Sequence, residues 1–260
     1  MSEDRLPPKI PGLEPDRRWL AENARVTAFA MPGLALTPLR WKDVFGADPD
    51  QVVRQPGMPS MEGGPIDGKR WLIGQQPGRV DVIVVPESPP VPSSDVLNVG
   101  EFGDVIDPLL EAAERAFDQS ASILRLAVGA ILFEPVDTIR DGLRKLQTSV
   151  PQLQRLPEGA TDLFFQLNVP VSIDDVMPGL GMNRLLKWQV AAMQILGFAP
   201  GLGMSFQIAP TGMRQLLRLE LDINTSFERT APLPSDKIGQ LIARLGSEAK
   251  DLAKAGGFAS

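Results

Sequence analysis

The chain alternates between two hydrophobic rhythms. One has a period of two, the signature of a half-buried strand; the other recurs at three and four residues, the signature of an amphipathic helix. The period-two signal is plainest in RLELDIN, residues 218–224. Leu219, Leu221 and Ile223 share one side of an extended chain, and Arg218, Glu220, Asp222 and Asn224 share the other. RVTAFAM (25–31), KRWLIGQQ (69–76), RVDVIVVP (79–86), DLFFQLNVPV (162–171), RLLKWQVAAMQIL (184–196) and GMSFQIAP (203–210) read as further strands. Pro77-Gly78 makes a turn between the second and third of these. ILRLAVGAILF (123–133) is apolar enough for a central strand, with a bulge near Gly129. MRQLL carries a helix-turn signal inside the last strand region.

Helical spacing is weaker but recurrent. LRWKDVFG reads as a short helix ended by Gly46. Asp107 reads as an N-cap with Pro108 at the first helical position, ahead of Leu109, Leu110, Ala113 and Phe117. Asp137 caps a helix lined by Ile139, Leu143, Leu146 and Val150, which Pro151 ends. Ser235 opens a terminal helix whose inner stripe is Ile238, Leu241, Ile242, Leu245, Ala249 and Leu252; Gly256-Gly257 stops it.

Between these elements, residues 1–24 read as an arm kept extended at its start by Pro7, Pro8, Pro11 and Pro15. PDRRWLAEN forms a helical turn or two, anchored by Trp19 and Leu20. Residues 47–68, rich in Gly and Pro and carrying Met58 and Met61, read as one long loop. The expected fold is α+β: mostly antiparallel sheet with helices on one face. The modules expected are 25–120 and 121–260, with one continuous domain as the alternative. They rhyme: RVDVIVV and RLELDIN both begin with Arg, place an acid third, and precede a connector and an amphipathic helix. AMPGLALTPL and AVGAILFEPV form a second such pair. A duplication of β-α-β(n)-α units would account for this; so would the common grammar of α+β modules.

Composition narrows the chemistry. With 43% hydrophobic and 22% charged residues, the chain has the balance of a globular protein with a large core. A net charge of −6 opposes binding to a phosphate backbone, so no nucleic-acid partner is expected. The longest apolar run, LAVGAILF (126–133), is too short to span a membrane as a helix. The polar, Pro-rich start MSEDRLPPKIPG is unlike a signal peptide, which points to a cytoplasmic location. There is no Cys, no His and no Tyr. Thiolate chemistry, His-based triads and Cys/His metal sites are therefore excluded within the chain, and neither a transition metal nor another cofactor is expected. Carboxylate acid–base chemistry and Arg or Lys clamps remain.

Two candidate clusters follow. Glu220, Asp222 and Asn224 project from one side of a strand about 6.5–7 Å apart, too far for two carboxylates to share a proton. A divalent ion there would need ligands from a neighbouring strand, where Gln166, Asn168 and Gln207 are weak donors of oxygen. The solvated side of an antiparallel strand is the simpler account. Arg184 and Lys187 follow the Gly-rich PGLGMNR, which pairs with APGLGMS across a strand. They suit a carboxylate or phosphate clamp, and equally suit a guarded strand edge. No dinucleotide or P-loop fingerprint is present.

TDLFFQLNVP, MNRLLKWQVA and LRLELDINTS, followed by the terminal helix, together resemble a sporadically distributed, uncharacterised family of bacterial proteins of similar size, over about residues 120–255. The resemblance implies a bacterial α+β protein and brings no active site. The expectation is a non-enzymatic interaction protein. It would bind a protein partner or itself through an exposed sheet face or the 47–68 loop, where Met58 and Met61 suit adaptable contacts. The alternative is a small-ligand binder or acid-assisted hydrolase using Glu220, Asp222, Arg184 and Lys187.

Overall fold

A computed structural model describes residues 17–31, 33, 36, 38–55, 59–87, 95–118, 120, 122–157, 159–200 and 206–258, with the backbone alone at 151, 195–200 and 206–211. The first half contains β1 (Leu20–Ala30), α1 (Trp41–Phe45), β2 (Gln51–Val53), β3 (Ser60–Ile66), β4 (Lys69–Gln76), β5 (Arg79–Pro86) and α2 (Phe102–Phe117). The second contains β6 (Ile123–Val136), α3 (Ile139–Ser149), β7 (Phe164–Asn168), β8 (Val171–Ser172), β9 (Gly181–Pro200), β10 (Phe206–Thr225) and α4 (Ile238–Ala255). The strands make one ten-stranded sheet in the order β2-β3-β4-β5-β1-β6-β10-β9-β7, with β8 pairing β9 outside this path. Every strand pairing among the described residues is antiparallel. The protein is thus α+β, as the period-two segments predict.

Alternation decides which side is core. Ala24, Val26 and Ala28 of β1, Val80, Val82 and Val84 of β5, Leu126, Val128, Ala130 and Leu132 of β6, and Leu217, Leu219, Leu221 and Ile223 of β10 are all buried. Their registers place them on one side of the sheet. The helices cover that side: α2 lies on β1 and β5, α4 on β6 and β10, and α3 on β9 and β10. α2 and α4 also pack on each other. A Cβ at Gly246 of α4 would come within 2.2 Å of Leu110 Cδ1, so glycine is what allows the two helices to approach this closely.

Two indoles complete the end of α4. Trp19 Nε1 donates to Ala253 O at 2.8 Å, and Trp188 Nε1 donates to Gly256 O at 3.1 Å. Ala253 O also accepts from Gly256 N at 3.0 Å, so the Trp19 indole adds a second donor there, and the Trp188 indole supplies one to the C-cap carbonyl just past the helix. They also tie the segment before β1 and the middle of β9 to the C-terminal helix.

Several local expectations are revised. β1 begins at Leu20, so most of LAEN is strand and not a helical turn; its apolar positions pair with β6. The 47–68 segment is not one loop, because it contains β2 and β3 and ends in an Asp67-Gly68 turn with positive φ at both residues (50° and 71°). That geometry matches the twist of a tight hairpin. Glu62, inside the segment, is 6% exposed and accepts from Trp41 N and Arg54 Nη2, each at 2.7 Å. Met58 lies outside the described residues, and Met61 is a half-buried member of β3.

α2 starts at Phe102, five residues before the predicted cap, and Pro108 sits inside it on the exposed side. Phe102, Val105 and Ile106 are buried and extend the apolar stripe upstream, which outweighs the hydrogen bond lost at Pro108. α3 is capped by Thr138, not Asp137: its Oγ1 accepts from Asp141 N at 3.1 Å. Gly129 makes no bulge. β6 pairs without a register shift there on either side, and the missing side chain leaves room for Arg25. The MRQLL segment is strand throughout.

Candidate functional site

The side of the sheet opposite the helices is covered by no described helix. Its residues follow from the same registers, one position out of phase with the core. Ile83, Arg25, Gly129, Asp222 and Leu185 form one row across β5, β1, β6, β10 and β9. Asp81, Thr27, Ala127, Asn224 and Asn183 form the next. Ile131, Glu220, Lys187 and Gln166 form a third. Apolar and charged groups therefore interleave, and at the edge strand β7 Phe164 is 61% exposed.

Most charges on this side are matched. Arg79 holds Asp81 through Nε at 2.8 Å and Nη2 at 2.7 Å, and Thr27 Oγ1 donates to the same carboxylate at 2.6 Å. Lys187 Nζ meets Glu220 Oε1 at 2.7 Å, and Arg218 meets Glu22 at 3.2 Å. Asn224 is a hub. It accepts from Arg125 Nη2 and Asn183 Nδ2, both at 3.2 Å, and donates to Asp222 Oδ1 at 2.9 Å. At 7% exposure it is buried, although strand alternation alone predicts a wet side chain.

Among the described residues two cations on this side are left over. Arg25 lies across Gly129, its Nε 3.3 Å from where a Cβ would stand, and it forms no hydrogen bond or ion pair with the described residues. Arg125 meets no carboxylate among the described residues; its Nε is buried without a hydrogen-bond partner. Its guanidinium stacks over Phe29 at 5.0 Å, and Arg79 stacks over the same ring at 5.6 Å. Half-buried cations without a counter-charge are costly to keep, which marks the middle of this face as more than a wet surface.

The predicted ligand residues divide between the two sides. Lys187, Glu220, Asp222 and Asn224 sit together on the helix-free side. Arg184 does not join them: it points to the helices, with Nη1 3.0 Å from Glu248 Oε1 of α4 and Nε donating to Val169 O at 3.0 Å. Residues three apart on a strand face opposite ways, so Arg184 and Lys187 cannot clamp one anion. Arg244 adds a second bond to Glu248 at 2.9 Å. Burial pushes the Glu248 carboxyl up, but the two guanidiniums outweigh it and hold the group below the ordinary carboxylate range.

Arg25, Arg125 and Asn183 are absent from the sequence-based candidates. Arg25 and Arg125 do break the apolar run of their strands, and that was the available signal. A cavity of about 390 Å³ opens elsewhere, beside α3 and the end of α4, where Arg17, Asp141, Arg144, Lys145 and Lys254 converge. Its charges are largely spent on each other: Arg17 and Lys145 meet Glu134, and Arg144 meets Asp141 at 3.2 Å. Among the described residues no group of three or more Asp or Glu is placed to hold a metal ion, and no helix is long and apolar enough to cross a membrane.

Comparison with family models, with curated proteins and with solved structures returned no match.

Proposed function

We propose that this chain is a non-enzymatic interaction protein that binds a protein partner through the helix-free side of its sheet. The single observation that carries the reading is the pair of cations that meet no carboxylate among the described residues, Arg25 and Arg125, set among Phe29, Ile83 and Leu185. An incoming surface that offers carboxylates to the arginines and apolar groups to the rows between them would complete both. A net charge of −6 argues against nucleic acid as that partner. The acid-assisted alternative is weakened by the separation of Arg184 from Glu220 and Asp222. A cytoplasmic location and a bacterial origin, the latter through the family resemblance, belong to the same proposal.

The element order supports an internal duplication as part of it. Each half runs strand, helix, four strands, helix. β1 and β6 pair at the centre, β5 and β10 flank them, and β4 and β9 come next. RVDVIVV and RLELDIN, the segments that rhyme in sequence, are β5 and β10 and so hold equivalent places.

The test is site-specific photo-cross-linking in the native host. A photoreactive residue at Ile83, on the helix-free side, should capture a discrete partner. Arg25→Glu should abolish that capture, and a probe at exposed Lys254 on α4 should not reproduce it. Equal capture from both sides, or capture indifferent to Arg25→Glu, would sink the reading.

A further inference from the structure

β9 and β10 continue past the sheet that holds them. β6 stops pairing with β10 at Gln215, and β7 stops pairing with β9 at Gln189, with one further bond from Val190 N to Leu163 O. Beyond that point the two strands pair only with each other among the described residues, out to Pro200 opposite Phe206. The result is a two-stranded arm about 30 Å long at the usual rise per residue. Residues 188–213 contain no charged residue, although 22% of the whole chain is charged. Two-stranded ribbons are marginal alone, so an uncharged one calls for a further layer or strand.

The two edges of the arm are not alike. The β10 edge carries Pro210, an irregular register between Pro210 and Gly212, and Arg214, which reaches Asp95 at 3.5 Å. Proline, a bulge and a charge are the devices that keep a strand edge from pairing. The β9 edge from Val190 to Ala199, VAAMQILGFA, carries no proline, no charge and no register shift. Past the bond from Val190 N, the outward-facing backbone groups of this edge, on alternate residues, meet no partner strand among the described residues.

We infer that β9 edges of two copies of this chain pair antiparallel across a two-fold axis, joining the arms into one four-stranded ribbon. An edge strand is completed by another edge strand, and a second copy presents the same unguarded one. In a two-fold antiparallel pairing each residue meets a residue of the same segment, and because the segment has no charge, no charged group has to be desolvated when the edges join. A lipid bilayer is the poorer occupant, because a lone hairpin in hydrocarbon leaves both its edges unpaired. The arm is a different surface from the face that carries Arg25, so the two proposals stand or fall separately.

The experiment uses the full chain. Light scattering over a rising concentration series should show the mass of two chains. Ile195→Lys should return it to the mass of one with an unchanged circular dichroism spectrum, and Met213→Lys, on the guarded edge, should leave the dimer intact. Because the chain has no cysteine, a single introduced thiol reports contact between copies alone. Under mild oxidation Gln194→Cys or a neighbour between 192 and 197 should cross-link to a dimer, and Met213→Cys should not. A wild-type chain that stays monomeric at every concentration overturns the pairing, as does equal cross-linking from both edges. So does a monomer that pellets with phosphatidylglycerol vesicles, which would assign the arm to lipid. Cross-linking at Ile83 to a foreign partner should survive Ile195→Lys, which separates this outcome from the sheet-face proposal.

Discussion

The two sides of β9 and β10 carry similar charged residues and use them differently. On the helix side, Arg184 and Arg244 close on Glu248, whose side chain is 12% exposed. On the other side, Lys187 closes on Glu220 with 28% and 30% of the two side chains exposed. Both are ion pairs of good geometry, at 3.0 and 2.7 Å. In the first, two cations compensate one anion that is itself mostly buried; in the second, both partners are more exposed and screened. A pair's distance therefore says little about its worth, and its surroundings say most.

The contrast is broken most strongly through the apolar residues between the charges. Leu221 is buried on the helix side at 1% exposure. Leu221→Ala should cost about 2–5 kcal/mol, measured by denaturant unfolding. Leu241→Ala on α4 should fall in the same range, since it packs against the same layer from above. A near-neutral result at both would mean that the helical layer is not what holds this sheet.

Glu248→Gln comes next, at about 1.5–3 kcal/mol near neutral pH, because two guanidiniums lose their charged acceptor. The pH dependence has a definite sign. The folded carboxyl titrates below its ordinary value of 4.5, so its stabilisation is present above that value and is lost as pH falls through the lowered one. The gap between wild type and Glu248→Gln should therefore shrink under acid. A gap that widened as pH fell would reverse the assignment of the charged form.

Asn224→Ala should cost about 1–3 kcal/mol, because Arg125 and Asn183 lose an acceptor at a buried position. It tests whether the helix-free side is organised or simply wet. Glu220→Gln should be smaller, about 0–1 kcal/mol and weaker in high salt. Asp222→Asn, which changes a carboxylate bonded only to Asn224 among the described residues, should stay within about 0.5 kcal/mol. If Glu220→Gln cost as much as Glu248→Gln, the two sides would be equivalent and the proposed interaction face would lose its distinguishing property.

Some of the architecture was legible and overlooked. Asp67-Gly68 is a strong hairpin signal, yet three glycines and four prolines upstream made the segment read as loop. Pro108 drew the start of α2 downstream, because proline favours the first helical turn; the apolar stripe from Phe102 already ran through it. The Asn224 hub was not legible. Its acceptor serves Arg125 on β6 and Asn183 on β9, residues brought beside it by strand pairing.

The sequence by itself determined the alternation of RLELDIN, the stripe of the terminal helix, the α+β class and the exclusion of thiol and imidazole chemistry. Each of these rests on local period or on residue type, which no distant contact can alter. Tertiary structure alone decided which parity of each strand meets helices. It also decided that Arg184 joins Glu248 while Lys187 joins Glu220, that Arg25 and Arg125 find no carboxylate among the described residues, and that β9 runs past the described strands beside it. Those outcomes depend on strand order and register across segments up to two hundred residues apart. A register is set by the sum of many cross-strand contacts, so no single stretch of the chain encodes it.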